Sequence, residues 1–477
     1  MLEYKGFEAI IGIEVHAELK TATKIFCACK NEFSKEPNTN VCPVCMGHPG
    51  TLPNLNQKAI ELAVRAGLAL GCQIGKNVYA ERKNYFYPDL PKAYQISQFE
   101  SPICQNGYVE LTKSAQKRVN IKEIHFEEDA GKLIHQKDHS LIDYNRCGVP
   151  LIEIVSEPDM RSADEAIEYV KNLRLCLMYA DVCDCKMQEG SLRCDVNLSV
   201  RRIGEKTLGT RAELKNLNSF AFMKSAIEYE FRHQVDAILA GEVLCQQTKR
   251  FSEADKKTYP MRPKETLAHY RFFTEPDILC FVIKDSDIEK QRAFLKIRPL
   301  DLLKKYEKLG VLDDDARLIV DLPEICRYFE ELLAFSDHAR TCASFLVGHL
   351  LKTCIKNDQT IHLVTPKSFA SVIDMFESKK ISSTVAKNLL TRLLTCDFDP
   401  EIVAKQEDLF QISDENVLLP LVKDAYESSS DAVLKYKNGK KNALQSVVGK
   451  VMAKTAGKAD PEVVTKLLLS MVENDTL

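Results

Sequence analysis

The sequence predicts an α+β protein: an antiparallel sheet with helices packed on it over residues 1–298, followed by an all-α helical domain at 299–406 and a small helical tail domain at 407–477. Three observations lead there. Several N-terminal segments alternate polar and apolar residues with the two-residue period of a strand. From about Pro299 onward apolar residues recur at helical spacing with few strand signals. Finally, 477 residues exceed one ordinary domain, and a prior of about 150 residues each gives roughly three.

In chain order, residues 10–19 alternate first, with Ile13, Val15 and Leu19 on one face and Glu14, His16 and Glu18 on the other. A strand face carrying carboxylate, imidazole and carboxylate offers adjacent metal ligands; the plain alternative is an exposed edge face. Next come Cys27-Ala-Cys29 and Cys42-Pro-Val-Cys45, two close pairs separated by a loop. That spacing suits tetrahedral zinc, and four thiolates leave no position for water, so the insert at 27–45 reads as a structural zinc site. Residues 56–71 have helical spacing. Residues 82–98 are crowded with Arg82, Lys83, Tyr85 and Lys92 among aromatics and amides, and Pro88 and Pro91 argue against regular structure. Such a loop can stack a base and hold phosphates; Tyr and Phe there could also be core.

The central stretch is Ile124-His-Phe-Glu-Glu-Asp-Ala-Gly-Lys132, followed by Pro150-Leu-Ile-Glu153-Ile-Val155. Three consecutive carboxylates before a glycine suggest a hard cation, with magnesium the natural candidate; a solvated acidic turn is the alternative. Glu153 within an apolar strand strengthens the cation, because an uncompensated buried carboxylate is costly. Arg193, Asp195, Asn197 and Ser199 then share a strand face, and Arg211, Glu213 and Lys215 share the next. If these strands pair antiparallel, one sheet face displays carboxylates beside bases, which suits phosphoryl transfer. The chain has no Gly-x-x-x-x-Gly-Lys-Ser/Thr loop, so ATP would be held otherwise.

Composition limits the alternatives. A net charge of -3 provides no global field for a polyanion, so nucleic acid would meet a local patch. Seventeen cysteines after a start without a leader-like pattern suggest a reducing cytoplasmic location. No apolar run approaches the roughly 18 residues of a membrane span. In the last third, helical stretches at 314–319, 324–334, 343–352, 366–376 and 382–394 precede an expected domain end near Asp399-Pro400. The tail is rich in lysine, including Lys437, Lys440, Lys441 and Lys450, and Gly439 at a helix start would bring backbone N–H groups toward an anion; a solvated lysine face is the alternative.

Glu14-Val-His16, Arg82-Lys-Asn-Tyr-Phe-Tyr-Pro-Asp89, Tyr94-Gln-Ile-Ser-Gln98, His125-Phe-Glu-Glu-Asp-Ala-Gly-Lys132, Pro150-Leu-Ile-Glu153, Glu213-Leu-Lys-Asn-Leu-Asn-Ser219 and Tyr270-Arg-Phe-Phe-Thr-Glu-Pro-Asp277 together resemble the B subunits of the tRNA-dependent amidotransferases over nearly the whole chain. That resemblance implies a cradle similar to glutamine synthetase. It also implies phosphorylation of the side-chain carboxylate of misacylated glutamyl-tRNA(Gln) or aspartyl-tRNA(Asn) by ATP and magnesium. Ammonia would come from glutamine through an amidase (A) subunit, in a complex with a small C subunit, and the tail would grip the tRNA elbow. His16, Glu128 and Glu153 match residues used around magnesium, with Glu14 beside them; Asp195 and Glu213 are added from the strand faces. Glu128 and Glu153 are the expected catalytic pair. Rival readings are a free-standing ligase for a small acid and a non-catalytic zinc-stabilised RNA-binding scaffold.

Overall fold

In the computed structural model every residue is described except 1, 35, 264–266, 438–439, 456 and 475–477. The chain divides into two compact units, Met1–Leu300 and Asp301–Leu477. Among the described residues no helix is long and apolar enough to cross a membrane.

The first unit is built on one ten-stranded sheet. Its strands are β1 (Glu3–Tyr4), β2 (Phe7–Glu18), β3 (Gln73–Ile74), β4 (Cys104–Leu111), β5 (Lys117–Glu128), β6 (Pro150–Ser156), β7 (Leu192–Arg202), β8 (Ala212–Lys215), β9 (Gln247–Ser252) and β10 (Lys257–Pro263). The order across the sheet is β10-β9-β8-β7-β2-β6-β5-β4-β3, with β1 paired to β2. Strand β2 is therefore central, between β6 and β7, and not the exposed edge that its polar residues allowed. Its odd-numbered residues Ile11, Ile13, Val15 and Ala17 are buried in the core, together with Ile124 and Phe126 of β5, Ile152 and Ile154 of β6 and Val196 and Leu198 of β7. Helices α1 (Gln57–Ala69), α2 (Ala163–Tyr179) and α3 (Phe220–Leu239) add to that core through Leu62, Ala63, Tyr169, Val170, Ile227 and Phe231. Asn56, Ser162 and Ser219 cap their N-termini, each side chain accepting a backbone N–H of the first turn.

The sheet is mixed, which corrects the wholly antiparallel expectation. Strands β7 and β8 do pair antiparallel, but β8 and β9 are parallel. The reason is α3, which lies between β8 and β9 in the chain: a parallel pair needs a long crossover, and a helix of 20 residues provides one. The likeness to glutamine synthetase finds no confirmation. Residues 82–98 also depart from expectation. Strands Glu81–Asn84 and Tyr94–Ser97 pair as a hairpin, extended by Phe273–Thr274, because both prolines fall in the connecting loop and leave the flanking strands free to donate.

In the second unit helices follow one another as the apolar spacing predicted, including Asp313–Asp321, Pro323–Leu332, Pro366–Glu377 and Ser383–Leu393. The stretch at 343–352 is part of a longer run, Ala339–Phe345 and Lys352–Asn357 joined by a π-helical segment, Leu346–Leu351. Asp399-Pro400 opens a helix: the Asp399 carboxylate accepts the N–H groups of Glu401 and Ile402, and Pro400 occupies the first helical position. Beyond it, Leu418, Val422, Val447, Val451, Val464 and Leu468 form a hydrophobic cluster of their own.

Candidate active site and metal centres

Strand alternation sends the even-numbered residues of β2 to the face opposite the core, where they meet the odd-numbered polar residues of β5, β6 and β7. Glu153 of β6 lies opposite His16 of β2 and opposite His125 of β5, while Arg193 and Asp195 of β7 lie opposite His16 and Glu14. His16, Glu153, Arg193 and Asp195 border a cleft of about 1630 Å³. Its walls include His16, Glu18, Lys83, Tyr85, Glu127, Asp129, Arg146, Glu153, Arg193, Asp195 and Lys215.

The polar face is organised in layers along β2. At one end Glu14, Asp195 and Glu213 present carboxylate oxygens within 4.8 Å of one another. Asn197 donates to Glu14 at 2.7 Å, Thr248 donates to Glu213 at 3.1 Å, and Lys215 reaches Asp195 at 2.5 Å and Glu213 at 3.0 Å. Burial alone would lower Lys215, but Asp195 and Glu213 outweigh it and hold the ammonium well above its usual range. Three clustered carboxylates, two of them held by one lysine, suit a divalent cation.

In the next layer the imidazole Nε2 of His16 lies 3.5 Å from Glu127 and 3.6 Å from Glu153. Burial raises Glu127, and Glu153 raises it further; for Glu153 burial is outweighed by His16, Lys83 and His125, which lower it. Two carboxylates pushed in opposite directions at one imidazole form a coupled site, and this donor set also suits magnesium. Beyond it, Asp129 accepts Arg193 at 2.7 Å and Arg146 at 3.2 Å. Glu18 stands beside them, pushed up to about 7 by burial and by Asp129.

The structure separates several residues that the sequence had grouped. His16 and Glu153 come together, and so do Glu14, Asp195 and Glu213. Glu128 does not join either set. It shares the parity of Ile124 and Phe126, so its carboxylate pairs with Lys92 and accepts the N–H of Ile96 at 2.9 Å. The neighbour that reaches His16 is Glu127, a member of the same acidic triplet, and the core parity of Ile124 and Phe126 is the signal that distinguishes the two. Lys92 is occupied by Glu128. Arg82 is occupied as well, gripping Glu275 at 2.6 and 2.9 Å and Asp277 at 2.9 Å while lying 4.3 Å above the Tyr94 ring. Arg82 thus fastens residues 275–277 to the hairpin. Arg211 precedes β8 and is exposed, away from the cleft lining. Lys83 and Tyr85 do line the cleft, with the Lys83 ammonium 4.8 Å from the Tyr270 ring.

Cys27, Cys29, Cys42 and Cys45 place their sulfurs within 4.8 Å of one another. The N–H of Cys42 donates to the Cys45 sulfur at 3.1 Å. Cys45 is lowered to about 5, chiefly by the Cys27 thiol and with help from Lys24, while Cys29 is raised to about 11, mainly by burial. A thiolate already favoured among converging thiols fits zinc. Gly47, at φ +65°, closes the knuckle: a Cβ there would stand 2.4 Å from Lys92 Cγ, so the knuckle packs directly on the Lys92–Glu128 pair.

In the tail, Lys440 and Lys450 are exposed, and Lys450 donates to the Ser428 carbonyl at 2.8 Å. Gly439 lies outside the described residues, as do the side chains of Lys437 and Lys441.

Comparison with known proteins gives a consistent result. Residues 9–289 match the GatB/GatE catalytic domain, and residues 327–472 match the GatB domain. Among similar proteins, the aspartyl/glutamyl-tRNA(Asn/Gln) amidotransferase B subunit of Caldicellulosiruptor saccharolyticus is 46% identical over 478 residues, covering 98% of this chain and 99% of that protein. The second such B subunit of Clostridium acetobutylicum is 44% identical over 473 residues, covering 97% and 98%. That of Thermoanaerobacter pseudethanolicus is 44% identical over 467 residues, with 97% and 98% covered.

Proposed function

The chain belongs to the family of aspartyl/glutamyl-tRNA(Asn/Gln) amidotransferase B subunits, and we propose from this premise that it amidates misacylated glutamyl-tRNA(Gln) or aspartyl-tRNA(Asn) at the expense of ATP. The observation that carries the chemistry is a single cleft lined by His16, Glu127, Glu153 and Asp195 beside Lys83 and Lys215, with Glu14 and Glu213 gathered next to Asp195.

The side-chain carboxylate of the aminoacyl group attacks the γ-phosphorus of ATP; the new O–P bond forms as the bond to ADP breaks. Ammonia then attacks the acyl phosphate, phosphate leaves, and a proton is lost to give the amide. Magnesium, held by the carboxylates and His16, would supply charge neutralisation for the polyphosphate. Lys83 and Lys215 add fixed positive charge where phosphoryl oxygens develop negative charge. Apolar strand cores hold these groups in register, so little reorganisation is needed as charge develops.

Ammonia is assigned to an amidase partner subunit, in a complex that also includes a small C subunit. Cys147 is a poor candidate for an internal glutaminase nucleophile: it is buried, pushed up to about 12 chiefly by that burial, and its thiol faces the Asp89 carbonyl at 3.5 Å. The tail lysines are assigned to the tRNA backbone.

The test is ATP cleavage and amide formation by the purified chain with magnesium, ammonium and charged tRNA. Glu127→Gln and Glu153→Gln are expected to lower tRNA-stimulated ATP cleavage by roughly a hundredfold or more, with tRNA affinity nearly unchanged. Undiminished cleavage in both variants would refute the assignment, and equal turnover of a free small acid would favour a free-standing ligase.

A further inference from the structure

The carboxylates that line the cleft are nearly all committed. Asp195 is held by Lys215, Asp129 by Arg193 and Arg146, Glu127 and Glu153 by His16, Asp184 by the Ser191 hydroxyl, Asp143 by the N–H groups of Asn38 and Asn145, Glu189 by Lys186 and Glu32 by Lys30. Glu18 is the exception. Among the described residues its side chain makes neither a hydrogen bond nor an ion pair, although it is only partly exposed, lines the cleft, and sits at the end of the central strand. The arginines nearest to it are already drawn to Asp129, whose other oxygen accepts the N–H of Ala130 at 2.9 Å. A half-buried carboxylate left without a donor is costly, and what would complete it is a cation delivered by the ligand.

Position along the strand indicates which cation. Glu18 follows His16 by two residues, so the same face carries it roughly 6.5–7 Å farther along β2. In an extended glutamyl group the side-chain carboxyl carbon and the α-nitrogen are roughly 5 Å apart, from ordinary bond lengths and angles. A side-chain carboxylate placed at the His16–Glu127–Glu153 layer would therefore direct the α-ammonium toward the next layer, where Glu18 stands. We infer that Glu18 is the specificity residue that binds the α-ammonium group of the esterified amino acid. This rests on the proposed amidation reaction and adds to it the group that orients the substrate. The α-amino group of an aminoacyl ester is free, whereas in a peptide or an N-blocked residue it carries no charge. A carboxylate here thus selects a lone aminoacyl group and fixes which end of it meets the phosphoryl.

The experiment compares glutamyl-tRNA with N-acetylglutamyl-tRNA as substrates of the wild-type chain and of Glu18→Gln, with ATP, magnesium and ammonium. The wild type is expected to prefer the free amine by roughly ten- to a hundredfold in kcat/KM, the range of a hydrogen bond between charged groups. Glu18→Gln is expected to lose about that factor on glutamyl-tRNA, mostly in KM, and little on the acetylated substrate, so that the preference collapses. Glu18→Asp, which keeps the charge and retracts it by one methylene, is expected to fall between the two and covers the case in which the glutamine variant does not fold. Equal losses on both substrates, or a wild type indifferent to acetylation, would overturn the assignment. Failure of the wild type to amidate both glutamyl-tRNA and aspartyl-tRNA would instead remove the proposed function beneath it, and a wild type active only on aspartyl-tRNA is put through the same comparison with N-acetylaspartyl-tRNA.

Discussion

Glu127 and Glu128 are neighbours in the chain and face opposite sides of the sheet, so their substitutions belong to different experiments. Glu127 contacts His16 in the cleft. Glu128 pairs with Lys92, the two side chains being 5% and 10% exposed, and the Lys92 ammonium lies 5.3 Å from the Tyr94 ring and 5.7 Å from that of Phe26. Removing one member of a buried pair leaves an uncompensated charge, which costs roughly 3–5 kcal/mol. Glu128→Gln is therefore expected to lower the denaturation midpoint clearly. Combining it with Lys92→Met should restore much of the loss, because both charges then disappear together. Denaturant unfolding of the two single variants and the double variant measures this coupling.

At the scale of elements, the parallel pairing of β8 and β9 depends on α3 crossing behind them, and a buried polar knot fastens that crossing. Glu230 of α3 accepts Lys249 of β9 at 2.8 Å, Thr258 of β10 at 2.6 Å and Gln234 at 2.9 Å, with the Glu230 and Lys249 side chains 0% and 4% exposed. Glu230→Ala is expected to cost roughly 3–5 kcal/mol by stranding Lys249, with loss of cooperative unfolding as the readout. The cysteine knuckle is a second such fastening. Its loop has little core of its own, so metal contributes to its folding. One zinc per chain is expected by metal analysis, and Cys42→Ser or chelation should lower the melting temperature before it affects turnover. A metal-free chain of unchanged stability would end that expectation.

For the whole molecule, the tail has its own apolar cluster, Leu418 to Val472, and the first unit has a core that runs from Phe7 to Ile288. Deleting the residues after Asp408 should therefore leave the first unit folded. The deletion is expected to weaken tRNA binding and to flatten its dependence on salt, because fewer lysine–phosphate contacts release fewer counterions. Binding titrations across a salt series check this. An unchanged slope would make the lysines, some of which already pair with acids such as Lys454 with Asp424 and Lys458 with Asp408, mere surface.

The sequence alone determined the α+β class, the strands at 10–19, 150–155 and 193–200 and the spacing of the four-cysteine knuckle. Each rests on local periodicity or spacing, which the chain carries within a few residues. Only the tertiary structure decided the mixed sheet, the central place of β2, and the partners of Arg82, Lys92 and Glu128. Those outcomes depend on which distant segment lies opposite: Glu275 is 193 residues from Arg82 and Glu128 is 36 from Lys92. A cation in a binding-like motif reads the same whether it awaits a phosphate or already holds a carboxylate. The choice is made by desolvation and pairing once the strands meet.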